Sequence, residues 1–128
     1  MTKSNKKLDL KFTSLEFFES IVVSTVKEDT IIEKEHIDDL REICTSHFGN
    51  KNFVYITHRK NNYNVNPVIY IDLIQVNTLK GIAVLSDNLG KLKTANFEKN
   101  FSPVPYELFD NKEEALIWAK GIVSTESQ

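Results

Sequence analysis

The sequence predicts an α/β domain with a mixed, mostly parallel sheet of about five strands and four helices, in the order ββαβαβαβα. Three observations carry that prediction. Short apolar runs alternate along the chain with stretches whose apolar residues fall at helical spacing. Residues 81–85, Gly-Ile-Ala-Val-Leu, are continuously apolar and closed by Ser86-Asp87, as expected of a strand buried on both faces of a parallel sheet. The C-terminal stretch combines a cap signal with an amphipathic stripe, the mark of a closing helix.

The elements follow in order. Residues 1–6 read as a frayed start. Leu8, Leu10 and Phe12 alternate with Asp9 and Lys11, the period of a half-buried strand. Thr13-Ser14 reads as a turn. The β-branched run over residues 17–26 reads as one strand, completing an antiparallel hairpin. From about Glu33 the period becomes helical: Ile37, Leu40, Ile43, Cys44 and Phe48 share a stripe, and Gly49-Asn50 stops the helix. Residues 53–57 form the next strand, so a parallel crossover is expected.

Residues 58–66 are the most polar loop and end in Asn66-Pro67, which suits an N-cap followed by the first helical position. Residues 68–76 carry opposed signals. Their β-branched content argues strand, whereas the Asn-Pro start and the need for a crossover argue helix. We read a helix, with Tyr70, Ile71, Ile74 and Thr78 as its stripe. After the strand at 81–85, residues 88–100 are polar with Leu89, Leu92, Phe97 and Phe101 as anchors. Ser102-Pro-Val-Pro105 breaks that pattern, and residues 106–109 give a last short strand near an edge. Asp110 and Glu113 form a capping-box-like pair ahead of Ala115, Trp118, Ala119 and Ile122, which repeat as an inward stripe. The polar tail after Val123 is expected to be disordered.

Composition sets bounds on function. The chain of 128 residues is read as a single domain, of a size that buries roughly two thirds of its unfolded surface. A formal net charge of −2 gives no case for nucleic acid or an anionic membrane surface. One cysteine excludes an intramolecular disulfide and points to a reducing, cytoplasmic setting. The polar N-terminus lacks the apolar segment of a secretory signal, and no run approaches the roughly 20 apolar residues of a membrane span.

Candidate site residues sit beyond strand ends, where open α/β sheets bind ligands. His58, Arg59 and Tyr63 follow the strand at 53–57, and Arg59 with the helix-start amides beyond Asn66 suits a carboxylate or phosphate. Ser86 and Asp87 follow the central strand and suit either a ligand at the same rim or a helix cap. His36, His47 and His58 have no metal-ligand spacing, and Cys44 falls on an apolar stripe. No nucleophile elbow and no phosphate-cradling glycine pattern is present. Catalytic residues, a metal and a cofactor are therefore not expected.

Several segments together carry a family resemblance. They are residues 53–59 (Phe-Val-Tyr-Ile-Thr-His-Arg), 63–67 (Tyr-Asn-Val-Asn-Pro) with Tyr70, 81–86 (Gly-Ile-Ala-Val-Leu-Ser), 97–101 (Phe-Glu-Lys-Asn-Phe) and 109–118 (Phe-Asp-Asn-Lys-Glu-Glu-Ala-Leu-Ile-Trp). Across residues 8–123 the chain resembles the STAS fold, and more narrowly the SpoIIAA-like proteins of bacteria, a group also linked to CRAL-TRIO lipid-carrier domains. The resemblance implies a non-enzymatic binding or regulatory module that engages a protein partner or small ligand at the rim of the sheet. Its alternative is a carrier of a small apolar or lipid-like ligand in an internal pocket. The anti-sigma antagonists of the fold switch by phosphorylation of a serine after the third strand. The matching residues here, 57–67, contain no serine, so the switch does not carry over. An edge strand and an apolar helix surface leave a homodimer open.

Overall fold

The computed structural model describes residues 6–27, 30–58, 63–65, 77–86, 100 and 104–126. Their elements are β1 (Lys6–Asp9), β2 (Thr13–Phe17), β3 (Ile21–Val26), β4 (Thr30–Ile32), α1 (Lys34–Phe48), β5 (Phe53–His58), β6 (Tyr63–Val65), β7 (Leu79–Leu85), β8 (Tyr106–Phe109) and α2 (Lys112–Glu126). The main sheet has six strands in the order β1-β2-β3-β5-β7-β8. β1, β2 and β3 pair antiparallel, whereas β3, β5, β7 and β8 run parallel. A separate two-stranded parallel sheet joins β4 to β6.

The mixed, mostly parallel sheet is as expected, but it has six described strands where about five were expected. Where one strand was read over 17–26, the chain turns through Glu19-Ser20, with the Phe18 N–H donating to the Ile21 carbonyl at 2.7 Å. Thr13-Ser14 is not a turn. It opens β2, whose Thr13, Leu15 and Phe17 are buried while Ser14 and Glu16 are half-buried. The preceding turn falls at Lys11-Phe12, closed by the Leu10 N–H on the Thr13 carbonyl at 2.8 Å. The strand expected over 8–12 therefore ends at Asp9. Tyr63–Val65, read as loop, is a strand because β4 supplies its backbone partners.

Two helices lie among the described residues. The expected helices over 68–76 and 88–100 fall outside them, apart from the terminal Asn100. Thr78, expected as the last stripe residue, sits in the turn before β7, where its carbonyl accepts the Phe53 N–H at 2.9 Å.

α1 agrees with most of its stripe: Ile37, Leu40, Cys44 and Phe48 are buried, while Ile43 is half-buried. Its start is fixed by the Glu33 N–H donating to His36 Nδ1 at 3.0 Å. Gly49 ends it at φ 61°, with its N–H on the Thr45 carbonyl at 2.9 Å, a conformation that glycine alone adopts without a Cβ penalty. α2 starts one residue later than the Asp110 cap predicts. Asn111 Oδ1 accepts the Glu114 N–H at 3.1 Å, so Asn111 fills the capping role. The helix runs to Glu126, past the point where a disordered tail was expected.

Alternation along the central strands builds a core on each face of the sheet. On the α1 side, Val22, Phe53, Ile82 and Val84 pack with Phe17, Phe48 and Leu40. On the α2 side, Val23, Val54, Ile56 and Ala83 pack with Ala115, Leu116 and Ala119. The run at 81–85 is thus buried on both faces, as its composition predicts. Gly81 has a specific cause: a Cβ there would lie 3.2 Å from Trp118 Cη2 and 3.4 Å from Ile122 Cγ2. The glycine lets α2 approach β7.

Candidate functional site

α2 packs on β7, β5, β8 and β3, so among the described residues no helix lies over the same face of β1 and β2. Side chains there alternate with the buried Leu15 and Phe17 and are polar: Ser14 and Glu16 on β2, Lys7 and Asp9 on β1. An open cleft of about 410 Å³ lies over this face and reaches Thr25, His58 and Lys112. Thr25 and His58 are register partners at the carboxyl ends of the parallel strands β3 and β5. Lys112 is the first residue of α2.

Ion pairs organise the cleft. Glu16 receives Lys112 Nζ at 3.2 Å and Lys7 Nζ at 3.9 Å. Lys112 Nζ also stands 5.7 Å from the centre of the Phe18 ring, a weak cation–π contact. Asp9 pairs with Lys27 at 2.9 Å and accepts the Ser14 hydroxyl at 2.8 Å. Those two hydrogen bonds, Lys27 first, hold the Asp9 carboxyl below the usual carboxylate range. The result is a groove of alternating sign, with hydroxyls and an imidazole between the charges.

Of the sequence-predicted residues, His58 is half-buried and belongs to this cleft. Ser86 lies one residue beyond the partner of His58 on β7. It is 1% exposed, and its N–H donates to the Phe109 carbonyl at 3.0 Å, extending the β7–β8 ladder. Ser86 therefore presents no open surface at the rim. Tyr63 is placed by its backbone pairing with Thr30 in the small sheet. Arg59 and Asp87 lie outside the described residues. Sequence reasoning missed Lys7, Ser14, Glu16, Thr25 and Lys112. The alternation Ser14-Leu-Glu16-Phe was the available signal for two of them, hidden by the turn assigned at Thr13-Ser14. Lys112 joins the group through tertiary packing alone, its partner lying 96 residues away.

Cys44 is buried and free, and burial pushes its thiol up to about 12, so it is a core residue with little thiolate to offer. Among the described residues no group of three or more His, Cys, Asp or Glu side chains is arranged to hold a metal ion. No helix among them is long and apolar enough to cross a membrane.

No protein-family model and no curated protein matches the chain. Among solved structures, a protein of the DUF3478 family from Shewanella loihica, described as uncharacterized and as having a SpoIIAA-like fold, superposes with a TM-score of 0.55. The match covers 93% of this chain and 92% of that one at 13% sequence identity. At that identity the likeness speaks to architecture alone, and the conclusion it supports is that the chain has a SpoIIAA-like α/β fold.

Proposed function

We propose that the domain is a non-enzymatic binding or regulatory module that engages a protein partner or small polar ligand at the rim of its sheet. The observation that carries this reading is the cleft of about 410 Å³ in which Thr25 and His58, at the ends of parallel strands, meet Glu16 and Lys112. Its size lies within the usual range of ligand sites, and its charges of both signs suit a zwitterionic ligand or a polar peptide. The carrier alternative, with the CRAL-TRIO link behind it, calls for an enclosed apolar cavity. The cleft at the strand ends is open and partly charged, which favours the rim. A cytoplasmic setting belongs to the same proposal, on the strength of the single unpaired thiol.

The test is a backbone-amide NMR screen of the whole chain against small zwitterions and short polar peptides. Hits are expected to move Ser14, Thr25 and His58 and to weaken severalfold in His58→Ala. Hits that bind tightly while leaving β2, β3 and the end of β5 unmoved would overturn the rim reading. Self-association is a further part of the proposal, since β8 is an edge strand among the described residues and Ile117 on α2 is 66% exposed. Light scattering decides it, and a monomer at high concentration removes the homodimer.

A further inference from the structure

On the other face of the sheet, a second open cleft of about 420 Å³ lies between the β1 edge and the last turns of α1. We propose that this cleft binds a small organic anion, with its apolar body on Leu8 and Ile43 and its carboxylate between Lys6 and His47. Two features of the cleft fit such a ligand. Leu8 and Ile43 are half-buried and pack against the core around Phe17, so they offer an apolar floor at the surface. The His47 ring is held in place, 4.1 Å from the Phe17 ring and edge-on to Phe48 at 4.8 Å, so little side-chain freedom is lost when a ligand meets it.

Lys6 lines the same wall as His47, and Lys51 follows the helix. Neither lysine has a carboxylate within ion-pair distance among the described residues. Burial, then the charges of Lys6 and Lys51, hold the His47 pKa below its ordinary value. An anion seated there relieves that repulsion, so its binding raises the His47 pKa and strengthens as pH falls through it. Glu42 is the opposing group. It stands on the same wall and disfavours an anion placed toward its side, which confines the carboxylate to the Lys6–His47 end.

The experiment compares phenylacetate with phenylacetamide, which keeps the apolar body and removes the charge, using amide and imidazole NMR on the whole chain. Phenylacetate is expected to shift residues 6–8 and 42–48 saturably and to raise the His47 titration midpoint. Phenylacetamide is expected to bind about three- to tenfold more weakly, the size of one or two solvent-exposed charge contacts. Lys6→Ala and Lys51→Ala, at exposed positions, should weaken phenylacetate and leave phenylacetamide unchanged. Equal binding of acid and amide, the absence of a saturable shift, or shifts centred on Thr25 and His58 would each overturn the proposal. The last outcome would place the anion in the cleft of the proposed function, so failures of the two readings are told apart.

Discussion

The two faces of the sheet are sealed by opposite means. On the α1 side the seal is made of rings: Phe48 stacks on Phe53 at 4.6 Å and 10°, and Phe17 tilts against Phe48 at 5.8 Å. On the α2 side small residues let the helix in: Gly81 on β7 faces Trp118 and Ile122, and Ala83 packs with Ala115 and Ala119. Large side chains hold a helix away from a sheet, whereas small ones let it approach closely. The α2 helix covers the parallel strands, and among the described residues the same face of β1 and β2 is polar and open. The candidate cleft lies beside the strands that α2 covers.

The faces should therefore fail in opposite ways. Phe17→Ala removes a fully buried ring from the α1 side and should cost about 3–5 kcal/mol by denaturant unfolding. Gly81→Val adds volume on the α2 side, where even a Cβ is crowded by Trp118 and Ile122, and should cost about 1–3 kcal/mol. The informative control is Gly81→Val with Trp118→Leu, which should recover part of that loss by giving the new methyls room. No recovery would mean that crowding is not the reason for glycine, and the contrast between the faces would lose its physical basis.

The α1 side also holds a polar pair in its apolar packing. Thr13 Oγ1 and Ser24 Oγ lie 2.6 Å apart, and both residues are 0% exposed. Ser24→Ala leaves a buried hydroxyl short of its partner and should cost about 1–3 kcal/mol. Thr13→Val with Ser24→Ala should cost less than Ser24→Ala alone, since replacing both partners removes the orphan. A double-mutant cycle checks this, and a double variant worse than the single one refutes the pairing as the source of the cost. Cys44, on the same side, gives a pH readout. Its folded pKa is raised, so its contribution to stability is complete below the ordinary thiol range and is lost as pH rises toward about 12. Alkylation of the native chain should accordingly be far slower than that of the unfolded chain at pH 8 to 9, measured by mass spectrometry; equal rates would show the site to be open.

Local pattern made part of this architecture legible. The stripe Ile37–Leu40–Cys44–Phe48, the stop at Gly49 and the double burial of β7 are each written within one element, where period and cap chemistry suffice. The break between β2 and β3 was marked only by the polar pair Glu19-Ser20, easily lost in a β-branched run; the antiparallel β2–β3 pairing closes the turn there. The small β4–β6 sheet is a pairing of three-residue segments across more than thirty positions, below what periodicity can signal. His58 was legible as a strand-end residue. Its neighbours Lys112 and Glu16 were not, because charge pairing across 96 residues leaves no trace in local sequence.

The smallest expected effect bears most directly on the cleft. Glu16 is 26% exposed and shared between two lysines, so Glu16→Gln removes solvent-screened pairs and should cost only about 0.2–1 kcal/mol, shrinking further in high salt. Its consequence for binding is larger than its consequence for folding. Without Glu16 the cleft keeps Lys7 and Lys112 with no carboxylate between them, so a ligand that presents an anionic group there should bind more tightly in Glu16→Gln. A ligand that presents a cation should bind less tightly, and Lys112→Gln should reverse both signs. Calorimetry on the hits of the NMR screen reads those signs directly. If neither substitution changes any affinity while both leave the fold intact, Glu16 and Lys112 serve only to dock α2 on β2. The open face of the antiparallel strands would then be plain solvated surface.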